Sequence, residues 1–257
     1  MITPYEQFKA ECDKEISLQD DPELWEKAYD WMYSCYKTNY YKHFEWLGRP
    51  IIQCQQDIVQ FQEIVWKTKP DLIIETGIAH GGSLVLSASM LVLLDMLSPH
   101  VNRMVLGIDI DIRKHNREAI ETHPLAKKIK MIEGSSTDDA IVNEVKEYAK
   151  NFNSIMLCLD SHHEHHHVLQ ELEFFAPLVS IGNYCIVFDT AIEDFWKILI
   201  KNMPESPFLD RPWGKGNNPK TAVWEFLKTH PEFEIDKSIQ NKLLITAAPD
   251  GYLKRVK

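Results

Sequence analysis

The chain lacks any run of about 18 consecutive apolar residues, and its first residues lack a basic stretch followed by an apolar core, so neither a membrane-spanning helix nor a secretory leader is expected. It also lacks basic charge: 28 Lys and Arg stand against 38 Asp and Glu, a formal net charge of −10. That balance argues against a nucleic-acid backbone as partner, because such binders carry a basic face. Cysteine is sparse and unpatterned: Cys12, Cys35, Cys54, Cys158 and Cys185 make an odd set. Cys158 and Cys185 sit inside apolar runs, as buried thiols of a reducing compartment do, and the expected location is cytoplasmic. There is no internal repeat, and the only biased segment is a histidine run after Asp160.

Its 257 residues, 44% hydrophobic and 26% charged, suit one α/β domain with an added helical segment. Residues 1–66 read as that helical extension and 67–257 as the main domain. In the extension Asp21-Pro22 starts a helix, and Trp25, Tyr29, Trp31, Tyr33, Tyr36, Tyr40 and Tyr41 crowd the next stretch. Such aromatics pack a helix on a neighbour more often than they form a stacking wall for a ligand. Phe44–Pro50 then turns the chain into a helix over Ile51–Trp66. From Asp71 onward strands and helices alternate, the mark of a parallel α/β sheet. The strand candidates are Leu72–Glu75, Met104–Asp109, Ile129–Glu133, Ile155–Asp160 and Tyr184–Asp189. The helices between them are Gly82–Leu97, Arg113–Thr122, Asp139–Asn151 and His165–Phe175. A turn-rich loop spans 204–220, and its Arg211–Pro219 part, with Trp213, Lys215 and Asn217, is a candidate acceptor lid. A helix over Lys220–Thr229 follows, then an antiparallel edge from Phe233–Asp236 and Leu243–Ala247.

The chemistry concentrates where these strands end. Pro70–Ser83 is an apolar run closed by Glu75, then Gly77, then Gly81-Gly82-Ser83 at the start of a helical pattern. That order suits a nucleoside-binding turn. The spacing is not G-x-G-x-x-G, so it does not suit a dinucleotide pyrophosphate. The acid before the turn points instead to S-adenosylmethionine (SAM). Glu75, Asp109, Asp160 and Asp189 each close a strand, at the edge where open parallel sheets bind ligands. Asp160 and Asp189 are placed either to cap helices or to share a hard divalent cation such as Mg²⁺. An imidazole from the His162-His163 turn would then remove a proton. His163 and His167 have helical spacing for zinc, but no cysteine lies nearby to complete a structural site. His165 and His166 read as a surface run.

Glu75–Ser83 resembles the first motif of the catechol-type, metal-dependent SAM methyltransferases, and Gly134-Ser135-Ser136-Thr137-Asp138 resembles their adenine-contacting turn. More closely, the chain resembles the cephalosporin hydroxylase/rhamnosyl O-methyltransferase family. The likeness runs through Trp46–Gln53, Glu75–Ser83, Leu159–His163 and Arg211–Pro219, across roughly residues 40 to 255. The resemblance implies a seven-stranded Rossmann-like sheet and a SAM-dependent O-methyltransferase. Glu75, Gly77, Ala79 and Ser83 would line the methionine moiety, Asp109 the ribose, and Ser136 and Thr137 the adenine. Asp160 would border the cofactor and, with Asp189, hold the divalent cation. His163 stands where those relatives carry a lysine base, and His162 is its understudy. Where relatives often have two adjacent metal ligands, this chain has Phe188-Asp189. The implied acceptor is a hydroxyl of a sugar or glycosylated small molecule, including a nucleotide-linked sugar or surface polysaccharide precursor. No nucleic acid and no membrane insertion are implied, and a homo-oligomer is. The rival readings are a nicotinamide-dependent oxidoreductase, which lacks its phosphate turn, and a non-catalytic SAM- or metal-binding subunit.

Overall fold

The structure, a computed structural model, describes residues 2–17, 21–202 and 207–257. In chain order the elements begin with α1 (Pro4–Ser17), α2 (Pro22–Tyr36), the hairpin β1 (Phe44–Trp46) and β2 (Arg49–Ile51), and α3 (Gln55–Thr68). They continue with β3 (Leu72–Thr76), α4 (Gly82–Asp95), β4 (Met104–Asp109), α5 (Lys114–Glu121), β5 (Ile129–Glu133), α6 (Asp139–Ala149) and β6 (Ile155–Leu159). The last are α7 (His165–Phe175), β7 (Tyr184–Val187), α8 (Ile192–Asn202), α9 (Pro219–Phe226), β8 (Phe233–Ile235), α10 (Lys237–Leu243) and β9 (Tyr252–Arg255).

Runs without polar alternation must be covered on both faces, which confines them to the middle of a sheet flanked by helices. β3, β6 and β7 are such runs and are buried at every position. They lie together in a seven-stranded sheet of order β5-β4-β3-β6-β7-β9-β8. The strands from β5 to β7 are parallel, and β9 runs antiparallel to both β7 and β8. One core lies on each face, around Leu157 and Phe175 on one side and around Ile73 and Leu91 on the other. Chain order reverses between β3 and β6, which makes the carboxyl edge there the place for a ligand.

The strand and helix boundaries from Asp71 to Phe175 fall within two residues of the sequence expectation at every end. Elsewhere four differ, the smallest being α9, which ends at Phe226 instead of Thr229. Phe44–Pro50 is a hairpin, closed by Leu47 and Gly48 at φ +47° and +83°, the primed two-residue turn that matches strand twist. The helix after it begins at Gln55 instead of Ile51. Leu243–Ala247 is not a strand. Asp236 caps α10 by accepting from the Ser238 amide, which draws Ile239 and Leu243 onto one helical face, and the closing strand is Tyr252–Arg255. A short apolar run such as Leu243-Leu244-Ile245 has no periodicity that separates the two outcomes. Asp21 caps α2 as its sequence suggests, accepting from the Glu23 amide with Pro22 in the first turn. Of the expected loop at 204–220, residues 204–206 lie outside the described residues, as do 1 and 18–20 of the expected extension. The rest of the loop ends in Asn218, which forms a capping box with Thr221 at the start of α9.

The helix before the sheet is tied to its far end by one buried carboxyl. Asp57 on α3 is 1% exposed and accepts from Thr246 Oγ1 (2.5 Å), the Ala247 amide (2.7 Å) and Tyr252 Oη (2.7 Å). Burial pushes it from 3.8 up to about 6, against the pull of those three donors. A carboxyl raised in the folded state binds its proton more tightly there than in the unfolded chain. Its contribution to stability is therefore greatest below about 3.8 and is lost as pH rises to about 6. Relative to Asp57→Asn, the wild-type protein should lose about 3 kcal/mol of unfolding free energy across that window. Denaturant titrations at pH 4 and pH 7 check this, and parallel pH curves for the two proteins would refute it.

Candidate active site

Sheet register builds the site. Thr76 pairs with Leu159 and Leu159 with Val187, so the residues that follow, Gly77, Asp160 and Phe188-Asp189, emerge side by side. Adjacent strands lie about 4.8 Å apart, close enough for Asp160 and Asp189 to face a common point. The glycine turn is drawn hard against this edge. A Cβ on Gly77 would lie 2.1 Å from the Asp160 carbonyl oxygen, and Gly77 has φ +89°. Beyond β7, Asp189 takes the left-handed conformation (φ +56°). A non-glycine residue held there is a form of strain that gathers at functional positions.

Ligand atoms of Asp160, His163 and Asp189 lie within 4.8 Å of one another. His163 Nε2 is 3.1 Å from Asp189 Oδ2, and Gln53 Nε2 donates to Asp160 Oδ2 at 2.9 Å. Among the described residues no lysine or arginine pairs with either acid. Burial pushes the Asp160 carboxyl well above the usual carboxylate range, and the charges of Asp189 and Glu75 push it the same way. Two acids with no cation between them and an imidazole beside them form a donor set that fits a hard divalent ion. Trp213 packs edge-on against the His163 ring at 5.0 Å and against His162 at 5.9 Å.

The other histidines take different work. His162 Nε2 lies 2.6 Å from Glu164 Oε2. His165 bonds Thr221 Oγ1 through Nδ1 (2.8 Å) and pairs with Glu225 through Nε2 (3.1 Å), so it joins α7 to α9 and is no idle surface group. His167 Nε2 contacts Ser136 Oγ (3.1 Å) and lies 3.5 Å from the fully buried Glu171. His163 and His167 therefore serve separate clusters and share no ion.

The expected cofactor residues line the same edge. Glu75 is buried, bonded to Ser87 and Ser83, and raised by that burial. Ala79 has φ +45°. Asp109 accepts the amides of Ile78 (2.7 Å) and Ala79 (3.3 Å) on one oxygen and that of Asp111 (3.2 Å) on the other. Ser136 is buried, and Thr137 bonds Ser135. Sequence reasoning gave no role to Arg49 or Asn116. Arg49 donates twice to the His80 carbonyl (2.9 and 2.6 Å), and Asn116 donates to the Ala79 carbonyl (2.8 Å). Together they clamp the turn from outside.

A cavity of about 360 Å³ opens from this edge. Its lining includes Ala79, Asp160, His163 and Asp189, and also Trp31, Tyr33, Tyr36, Tyr40 and Tyr41 from the N-terminal segment and Phe195 of α8. The aromatic crowding thus packs α2 on α8, as expected, and also lines a cavity. Tyr29 keeps the packing role, edge-on to Phe195 at 5.4 Å and bonded to Asp194 (3.0 Å). Among the described residues no lysine or arginine lines the cavity.

The sheet order, the glycine turn on its central strand and the acids at the switch point define a Rossmann-like fold of the SAM O-methyltransferase class. The profile of the Rhamnosyl O-methyltransferase/CmcI family matches residues 38–256, and the chain belongs to that family. It is 28% identical over 230 residues to the rhamnosyl O-methyltransferase of Mycobacterium tuberculosis, covering 86% of this chain and 83% of that one. To the rhamnosyl O-methyltransferase of Mycobacterium leprae it is 26% identical over 232 residues, covering 90% of each. A solved CmcI structure with Mg and SAM superposes with a TM-score of 0.55 at 17% identity, over 84% of this chain and 78% of that one. A CmcI apo-structure gives 0.53 at 16% identity, over 84% and 77%.

The contact between Gly77 and Asp160 is open to measurement because Gly48 supplies a control. Both have positive φ, but a Cβ on Gly48 meets nothing within 4 Å. Gly48→Ala should cost about 1 kcal/mol for the left-handed backbone alone. Gly77→Ala should cost a further 1–3 kcal/mol or so, because backbone must move. Equal unfolding free energies for the two variants would show that the edge is looser than described.

Proposed function

We propose that the cavity is the meeting place of a SAM site on the glycine turn and a neutral glycoside acceptor against the aromatic wall. The observation that carries this is the lining itself. Ala79 of the turn, the Asp160–His163–Asp189 cluster and the tyrosines border one space. The protein is a SAM-dependent O-methyltransferase, and its acceptor is a sugar hydroxyl. In this reading residues 1–66 supply the acceptor wall and 67–257 the methyltransferase domain. Glu75, Gly77, Ala79 and Ser83 would serve the methionine moiety, Asp109 the ribose, and Ser136 and Thr137 the adenine. Asp109 keeps capacity for that task, since each carboxylate oxygen has two lone pairs.

Asp160 and Asp189 would hold Mg²⁺. When bound, SAM supplies a methyl on a positive sulfur, and the cation supplies positive charge beside the acceptor oxygen. His163 takes the acceptor proton, with His162 engaged elsewhere by Glu164. Asp189, 3.1 Å from Nε2, orients the imidazole and steadies its charge once protonated. This leaves the other ring nitrogen as the base. Trp213, edge-on to the ring, limits its rotation. The rest of the acceleration comes from holding the two reactants in line.

Two features favour a neutral glycoside with an apolar aglycone over a nucleotide-linked sugar. A diphosphate needs cations or helix-end amides, and among the described lining residues there is no lysine or arginine, the Arg211 guanidinium being stacked over Trp213. The lining offers ring faces, which suit the C–H faces of sugars and apolar aglycones. With SAM and Mg²⁺, the protein should form S-adenosylhomocysteine (SAH) from aryl or alkyl glycosides and not from nucleotide sugars. Turnover confined to nucleotide sugars would overturn the acceptor reading. His163→Ala should lower kcat by ~10²–10⁴-fold without weakening SAH binding. A variant with wild-type kcat would remove His163 from the chemistry.

A further inference from the structure

We infer that Gln53 is a positioning residue for Asp160 and sets the affinity of the site for its divalent cation, an inference that rests on the reading of Asp160 and Asp189 as cation ligands. Gln53 lies between β2 and α3, in the segment that precedes the sheet. The backbone leading into it is fixed. Ile51 is 1% exposed, and a Cβ on Gly82 would lie 2.3 Å from the Pro50 carbonyl oxygen, so this stretch is seated directly on the start of α4. Arg49, four residues earlier, is anchored on the His80 carbonyl. From this seat the Gln53 carboxamide enters the cavity and donates to Asp160 Oδ2 at 2.9 Å.

The chemistry of that donor matters. A lysine or arginine here would neutralise Asp160 and compete with a cation. A neutral amide fixes the plane of the carboxylate and adds no positive charge to compete with an ion. It occupies one lone pair of one oxygen and leaves the remaining acceptor sites for the ion. Partners of this kind behind a ligand typically govern metal affinity by 10–100-fold or so.

The test is titration of Mg²⁺ into the full chain as wild type, Gln53→Met and Gln53→Ala, with SAH affinity and thermal unfolding measured on the same samples. Gln53→Met keeps the bulk of the side chain and removes only the donor. Mg²⁺ binding should weaken about 10-fold in both variants, while SAH affinity and the unfolding midpoint stay near wild type. Activity lost at low Mg²⁺ should return when Mg²⁺ is raised. Unchanged or tighter Mg²⁺ binding in Gln53→Met overturns the inference, as does a parallel loss of SAH affinity and stability, which would mark a packing role. If the wild type itself takes up no Mg²⁺, the reading of Asp160 and Asp189 as ligands fails first, and the role of Gln53 falls with it.

Discussion

The site depends on one close approach, the seating of Gly77 on the backbone of Asp160. Three central strands end in register, so their next residues are neighbours whatever their identity. Register alone would leave the turn after β3 standing off the edge by the width of a side chain. With no Cβ at Gly77, the turn lies against the Asp160 carbonyl, and Ala79 comes to border the same cavity as His163 and Asp189. Methyl transfer requires two reactants at contact distance. In the proposed reading that distance is set by the missing side chain of a glycine and by strand spacing, neither of which adjusts easily.

The segment before the sheet is part of this apparatus. Arg49 holds the His80 carbonyl, Gln53 holds Asp160, and Asp57 holds Thr246, Ala247 and Tyr252 behind the cavity. Within nine residues the chain touches the glycine turn, the acid at the switch point and the closing strand. The cost falls at Asp57, whose carboxyl is raised by burial. A buried acid with three donors is a poor source of stability at neutral pH, but it fixes the position of Ala247, which lines the cavity. Stability is given up there for geometry.

The sheet was legible because its strands announce themselves. Uniform apolar runs such as Leu72–Thr76 and Ile155–Leu159, bounded by acid or glycine, have few other places to go. The acids at their ends were legible for the same reason, since a polar residue at the tip of a buried strand must face the edge. What escaped was decided by contacts distant in sequence. Leu243–Ala247 reads as a strand until Asp236 caps the helix before it and Asp57 claims the Thr246 hydroxyl and the Ala247 amide. The Tyr33–Tyr41 cluster reads as packing until α2 is set beside α8 with a cavity between them. Arg49 carries no local signal at all, because its partner is a carbonyl oxygen 31 residues away.

Two kinds of side chain line the cavity. At the sheet edge, carboxylates gather without a balancing lysine or arginine among the described residues, an arrangement that becomes favourable only when positive charge arrives. The rest of the lining is largely aromatic, and it rewards burial of carbon and offers little to an anion. An acceptor that is neutral and amphipathic satisfies both. Its apolar part is drawn to the rings, and its hydroxyl is left at the carboxylates and His163. Against the tyrosine faces a doubly charged phosphate ester would lose hydration with no lysine or arginine among the described lining residues to replace it. In the proposed reading the aromatic lining therefore favours a neutral acceptor, before any contact specific to one sugar is made.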